Sequence, residues 1–148
     1  AANQKIKKEE KSHRKSAMDG VSKSQSALMS AQKISKKAVK CGFEWPNEGS
    51  LYECINSEFE EFKEAVAEGD KTHAEDEMGD ILFAVVNLAR WHKIDAEQAL
   101  LNANKKFMTR FRKMEQLAQK PLNEYTFTEY DALWRQAKST IERDNTIY

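Results

Sequence analysis

With 148 residues, 40% of them hydrophobic and 32% charged, the chain is long enough for one core and short for two ordinary domains. Only 5 Gly and 2 Pro are present, which argues against a sheet-rich fold full of tight turns and favours long helices, so an all-α fold is expected. Formal net charge is zero, but residues 1–40 hold eleven Lys/Arg against three Asp/Glu, leaving thirteen against twenty-one afterwards. The basic segment lacks interleaved aromatics, a Cys/His finger or a recognition-helix signature, so nucleic acid is not an expected partner.

Cys41 and Cys54 stand in a chain without an apolar signal core, which fits a reducing, cytoplasmic setting better than a disulfide scaffold. The longest apolar run, "ILFAVVNLA", is interrupted by Asn87 and ended by Arg90, far short of the roughly 20 residues that cross a bilayer. No membrane partner is expected.

In chain order, residues 1–24 lack apolar periodicity and read as a flexible basic leader, 25–140 as one helical domain, and 141–148 as a tail. Ala27, Leu28, Ala31, Ile34 and Ala38 recur at helical spacing, and the helix they predict stops at "CGFEWPNEG", a loop carrying Phe43 and Trp45. A second helix is predicted from about Ser50, with the stripe Leu51, Ile55, Phe59, Phe62 and Val66, ending at Gly69. The third runs from about Thr72 to Trp91 and is apolar on most of its circumference past Asp80, as in the central helix of a bundle. Asp95 and Gln98 form a capping-box signature for a fourth helix carrying Leu100, Phe107, Phe111 and Met114. Thr126 and Glu129 form another before a short last helix that docks through Tyr130, Leu133, Trp134 and Ala137.

Helices two and three are joined by a short turn at Gly69 and Asp70, which predicts an antiparallel hairpin. Glu61 and Glu77 are each eight positions from Gly69, and Glu58 and Asp80 are each eleven away, so the pairs lie at matched heights. At 100° per residue, Glu58 and Glu61 fall about 60° and 120° to one side of the apolar stripe, while Glu60 and Glu64 point towards water. Glu77 and Asp80 fall about 40° and 100° to one side of Ile81, and Asn87 shares that flank at about 120°. Four facing carboxylates form a hard-oxygen site suited to magnesium, or manganese in its place, with phosphates as remaining ligands. His73 and His92 sit near opposite ends of helix three and are read as lying off that face, which disfavours zinc or a di-iron centre. On helix four, Lys106, Arg110 and Lys113 form a basic stripe that could hold phosphate oxygens. Trp45 is placed either to stack a nucleobase or to cover the core.

The segments "ALMSAQKISKKAVKCGFEWP", "SEFEEFKEAV", "EDEMGDILFAVVNLAR", "NANKKFMTRFRKME" and "TFTEYDALWRQAK" together resemble the MazG family of nucleoside triphosphate pyrophosphohydrolases. The resemblance implies an all-α dimer or tetramer that hydrolyses nucleoside triphosphates with magnesium. It implies metal ligands at Glu58, Glu61, Glu77 and Asp80, and substrate contacts at Trp45, Asn87, Asn104, Lys106 and Arg110. Glu58, Glu61, Lys106 and Arg110 are the expected catalytic groups, with Glu61 as the candidate base. Ser57 stands where the family's EExxE motif has its first Glu, which makes a catalytically weak nucleotide-binding or protein-interaction module the alternative.

Overall fold

The computed structural model describes residues 15–146; residues 1–14 and 147–148, which hold most of the expected leader and the end of the expected tail, lie outside it. Among the described residues there are five α-helices and no strand: α1 (Ala27–Lys40), α2 (Glu48–Ala67), α3 (Lys71–Trp91), α4 (Ala96–Leu117) and α5 (Phe127–Thr146). The chain divides into two compact units between Glu97 and Gln98. The expected all-α class is the observed one.

In the first unit, α2 and α3 pack along each other and α1 packs on α3. The hairpin is tight because one helix's stop is directly followed by the next helix's start. Gly69, at φ 74°, donates to Val66 O while Asp70 N donates to Ala65 O, and the Asp70 carboxylate then accepts from His73 N at 3.0 Å. A side chain at position 69 would be strained in that left-handed conformation. Helix α1 ends in the same way at Gly42, with Phe43 N bonded to Ala38 O, so the loop that follows leaves α1 in a fixed direction. Asn47 caps α2 by accepting from Ser50 N at 2.8 Å, which starts the helix at Glu48, ahead of the predicted Ser50.

The core of this unit is built from Leu51, Ile55 and Ala84, with Trp45, Leu88 and Trp91 packed against it. Leu51 is fully buried. Replacing it by Ala is expected to cost about 2–5 kcal/mol, because the cavity adds to the lost transfer free energy; urea denaturation of the Leu51→Ala chain measures this. The predicted stripe on α2 is only half correct: Phe59 and Val66 are 42% and 56% exposed, and Ala65 is buried instead. On α3, Leu82 and Val85 are also exposed, at 58% and 46%. A helix fully enclosed by its own chain would not leave them so.

On α1 the buried residues are polar, Gln32 and Ser35. Gln32 Nε2 donates to Ile94 O at 2.6 Å and its Oε1 accepts from Ala96 N at 2.8 Å, tying α1 to the link that follows α3. Residues 15–24, read as featureless from sequence, include a short 3-10 turn over Ala17–Gly20, closed by a reciprocal Ser16–Asp19 box.

The second unit has its own small core of Met114, Leu133 and Ala137, flanked by Leu117, Leu122, Tyr125, Tyr130 and Trp134. The Thr126–Glu129 capping box is present, with bonds of 3.0 and 3.2 Å. Glu129 is also held down to a pKa of about 2, chiefly by its hydrogen bond to Lys120. Helix α5 continues to Thr146, well past the short docking segment that the sequence signal marked.

Candidate functional site

Ligand oxygens of Glu58, Glu77 and Asp80 all lie within 4.8 Å of one another, as the turn symmetry of the hairpin requires. Glu77 is buried, Glu58 is half-buried and Asp80 faces outward. Oε2 of Glu58 and Oε2 of Glu77 are buried without a hydrogen-bond donor. Anionic oxygens in that state are costly, so the cluster must either take up a proton or bind a cation.

The titration behaviour follows from this crowding. The hydrogen bond shared with Glu77 raises the Glu58 carboxyl to about 7, with burial and the charges of Glu61, Glu77 and Asp80 acting in the same direction. Glu77 is held low as the acceptor of that bond, burial opposing and bonds from Glu61 and His73 assisting. Glu61 is pushed up, first by its hydrogen bond to Glu77 and then by that group's charge. Glu61 is exposed and, unlike the expected set of four, is not among the three residues whose ligand oxygens lie within 4.8 Å of one another. Burial pushes the Cys54 thiol up, and the charges of Glu58, Glu61 and Asp80 push it further, the reverse of what an activated nucleophile needs.

One expectation is corrected here. His73 does reach the acidic face, its Nε2 lying 3.2 Å from Glu77 Oε1. A histidine four positions before a glutamate shares its helix face, and counting from the helix ends concealed that. The close-set ligand atoms are nevertheless all carboxylate oxygens, the donor set of a hard divalent cation. Ser57 is exposed and lines a shallow groove with Asn56, Glu60 and Lys63, whereas Glu58 turns into the hairpin.

Further along α3 lies a pocket of about 450 Å³. Its walls are mostly apolar: Ile34, Ala38 and Val39 from α1, Phe43 and Trp45 from the loop, Phe83 from α3, and Met18 from the 3-10 turn. Trp45 both covers the core cluster and lines this pocket, so the two sequence readings of it are compatible. The polar members are Ser35, Glu44, Asn87 and Arg90. Arg90 makes a forked pair with Glu44, with both contacts at 2.7 Å, and its Nε donates to Ser35 Oγ at 2.7 Å. Ser35 in turn donates to Asn87 Oδ1. The Glu44 carboxyl, raised by burial, is brought below its ordinary value by the Arg90 bond and the Trp45 backbone N–H. Of the residues lining this pocket, the sequence points to Trp45 and Asn87 but not to Ser35, Glu44 and Arg90. The bulk of their signal is tertiary, since Arg90 and Glu44 are 46 positions apart.

Asn104, Lys106 and Arg110 are on α4 in the second unit, with Asn104 and Lys106 exposed. Arg110 places its guanidinium 5.7 Å from the centre of the Trp134 ring. Lys113 approaches Asp144 at 3.9 Å.

Comparison with known proteins bears on the same region. The family model of the MazG nucleotide pyrophosphohydrolase domain matches residues 47–114, which include α2, the acidic hairpin and α3. The chain is 39% identical over 141 residues to a Thermotoga maritima protein named nucleoside triphosphate pyrophosphohydrolase/pyrophosphatase MazG, covering 93% of this chain and 54% of that one. It is 40% identical over 142 residues to the Escherichia coli K12 nucleoside triphosphate pyrophosphohydrolase, covering 90% of this chain and 53% of that one. The chain thus spans about half the length of the curated relatives it matches. With the domain match lying on the all-helical hairpin that gathers the carboxylates, and with this level of identity along nine-tenths of its length, the chain belongs to the MazG family.

Proposed function

We propose that this chain hydrolyses nucleoside triphosphates, ribo- or deoxy-, to the monophosphate and pyrophosphate in a magnesium-dependent reaction, a chemistry suited to housecleaning of a cytoplasmic nucleotide pool. The observation that carries this reading is the placement of the two sites on one helix. Asp80, Phe83 and Asn87 follow at i, i+3 and i+7, so the acid cluster and the apolar pocket share a face of α3 about 10 Å apart. That spacing suits a ligand with phosphates at one end and a flat ring at the other. The names of the relatives support the reaction type.

Glu58, Glu77 and Asp80, with Glu61 beside them, would hold the cation; the donorless buried oxygens are the feature that fits it. A bound magnesium ion, with manganese able to substitute, would neutralise phosphate charge and acidify water. Glu61, exposed and with a raised pKa, is the proposed acceptor of the proton from the attacking water. Trp45 and Asn87 are proposed to hold the nucleoside. Asn104, Lys106 and Arg110 are proposed as phosphate contacts on the family resemblance.

The exposed apolar row Met78, Leu82 and Val85 on α3, at i, i+4 and i+7, supports assembly of the chain as a dimer or tetramer. Among the described residues no helix is long and apolar enough to cross a membrane.

Pyrophosphate release across a panel of ribo- and deoxynucleoside triphosphates, with and without magnesium, tests the proposal. Magnesium-dependent release from at least one triphosphate is expected. Binding without turnover would favour the nucleotide-binding module that Ser57 brings into view, and neither binding nor turnover would refute both.

A further inference from the structure

The polar wall of the pocket forms one connected chain, its first link fixed in direction by chemistry and its second by the Asn87 oxygen that faces Ser35. An arginine nitrogen can only donate, so Ser35 Oγ accepts from Arg90 Nε at 2.7 Å and is left with its own proton to give. That proton goes to Asn87 Oδ1. The carbonyl end of the Asn87 amide is thereby engaged, and its Nδ2 end remains as the polar group offered to a ligand. At the other end of the chain, the forked 2.7 Å bonds from Arg90 to Glu44 anchor the residue directly before Trp45. The Arg90 side chain is 9% exposed and Ser35 is 3% exposed, so neither is arranged as a surface contact.

We propose that Glu44, Arg90, Ser35 and Asn87 form a positioning relay for nucleoside recognition. Arg90 fixes the Trp45 wall through Glu44 and, through Ser35, turns the Asn87 amide so that it donates. The ligand group read at this point is therefore a hydrogen-bond acceptor on the nucleoside, such as a ring carbonyl, ring nitrogen or sugar oxygen. Arg90 and Ser35 are positioning residues in this scheme, and the inference rests on the proposed function only in taking the pocket's ligand to be a nucleoside.

Lysine at position 90 keeps the charge but cannot make the fork and the Nε contact together, so Arg90→Lys should behave as a loss. Ser35→Ala removes the link to Asn87, while Ser35→Thr retains a hydroxyl. The test is calorimetric binding on the full chain, with nucleoside monophosphates as one probe and inorganic tripolyphosphate with magnesium as the other, alongside KM and kcat for any triphosphate that is turned over. In Arg90→Lys and Ser35→Ala, monophosphate affinity should fall about tenfold. Tripolyphosphate affinity should stay within about twofold, KM should rise with little change in kcat, and Ser35→Thr should recover most of the loss. If Arg90→Lys does not give a cooperative melt, the Ser35 pair alone decides.

Monophosphate affinity unchanged in Ser35→Ala, or both probes weakened equally, would overturn the relay. Because monophosphate binding needs no hydrolysis, a chain that binds but releases no pyrophosphate would refute the activity while leaving the relay supported or refuted on its own readout.

Discussion

Glu58→Gln and Asp80→Asn should each lower magnesium-dependent pyrophosphate release by about 100-fold or more, while Glu60→Gln should leave it within about twofold. The first two residues place oxygens in the group confined within 4.8 Å, and in the proposed reaction removing one of these anionic groups should weaken both cation binding and the electrostatic stabilisation of the phosphates. Glu60 is exposed on α2 and pairs with the exposed Lys63 at 3.1 Å. A second readout separates a site effect from misfolding. Glu58→Gln relieves crowding among the carboxylates, so the metal-free variant should melt at or above the wild-type temperature while losing its response to magnesium. A variant with lower metal-free stability and unaltered magnesium response would contradict the assignment.

The metal-free chain should become less stable as pH rises from about 4.5 to about 7, the opposite of ordinary acid denaturation. Glu58 has an ordinary value of 4.5 and a folded value of about 7. Between these limits the folded state binds more protons than the unfolded state, so stability falls with pH across that window. Allowing for solvent screening, the effect should be about 1–2 kcal/mol, a few degrees in melting temperature. Glu129, held down to about 2, contributes stability that is lost only as pH falls below about 4.5, so a comparison of pH 5.5 with pH 8 isolates the cluster. Magnesium should raise the melting temperature strongly at pH 8 and weakly at pH 5.5, where protons compete for the same oxygens. Melts of the wild type and Glu58→Gln at both pH values, with and without magnesium, check this; a metal-free wild type that is more stable at pH 8 would contradict it.

The acidic hairpin was legible from sequence because its information is local. Gly69 and Asp70 define the turn, and helical periodicity then brings Glu58, Glu77 and Asp80 together, while Glu61, expected with them, falls outside the close-set group. The α1 contribution was much less legible. Its buried residues, Gln32 and Ser35, are polar, and a search for an apolar stripe passes over them. Their burial is tolerated only because Ile94, Ala96, Asn87 and Arg90 supply partners from elsewhere in the chain. Phe59, Leu82 and Val85 erred in the other direction: an apolar pattern specifies that a face will be covered, but it does not say whether the same chain covers it. Met18 lines the pocket from a segment with no periodicity, because a single 3-10 turn is too short to carry any.

The most direct test of the central claim is a titration of manganese into the full chain at pH 8, following the resonance of the free ion. Wild-type protein should deplete the free signal with saturable binding, magnesium should compete it back, and the Glu58→Gln, Asp80→Asn double variant should leave the signal as in buffer. Equal depletion by the wild type and the double variant would show that these carboxylates do not hold the ion.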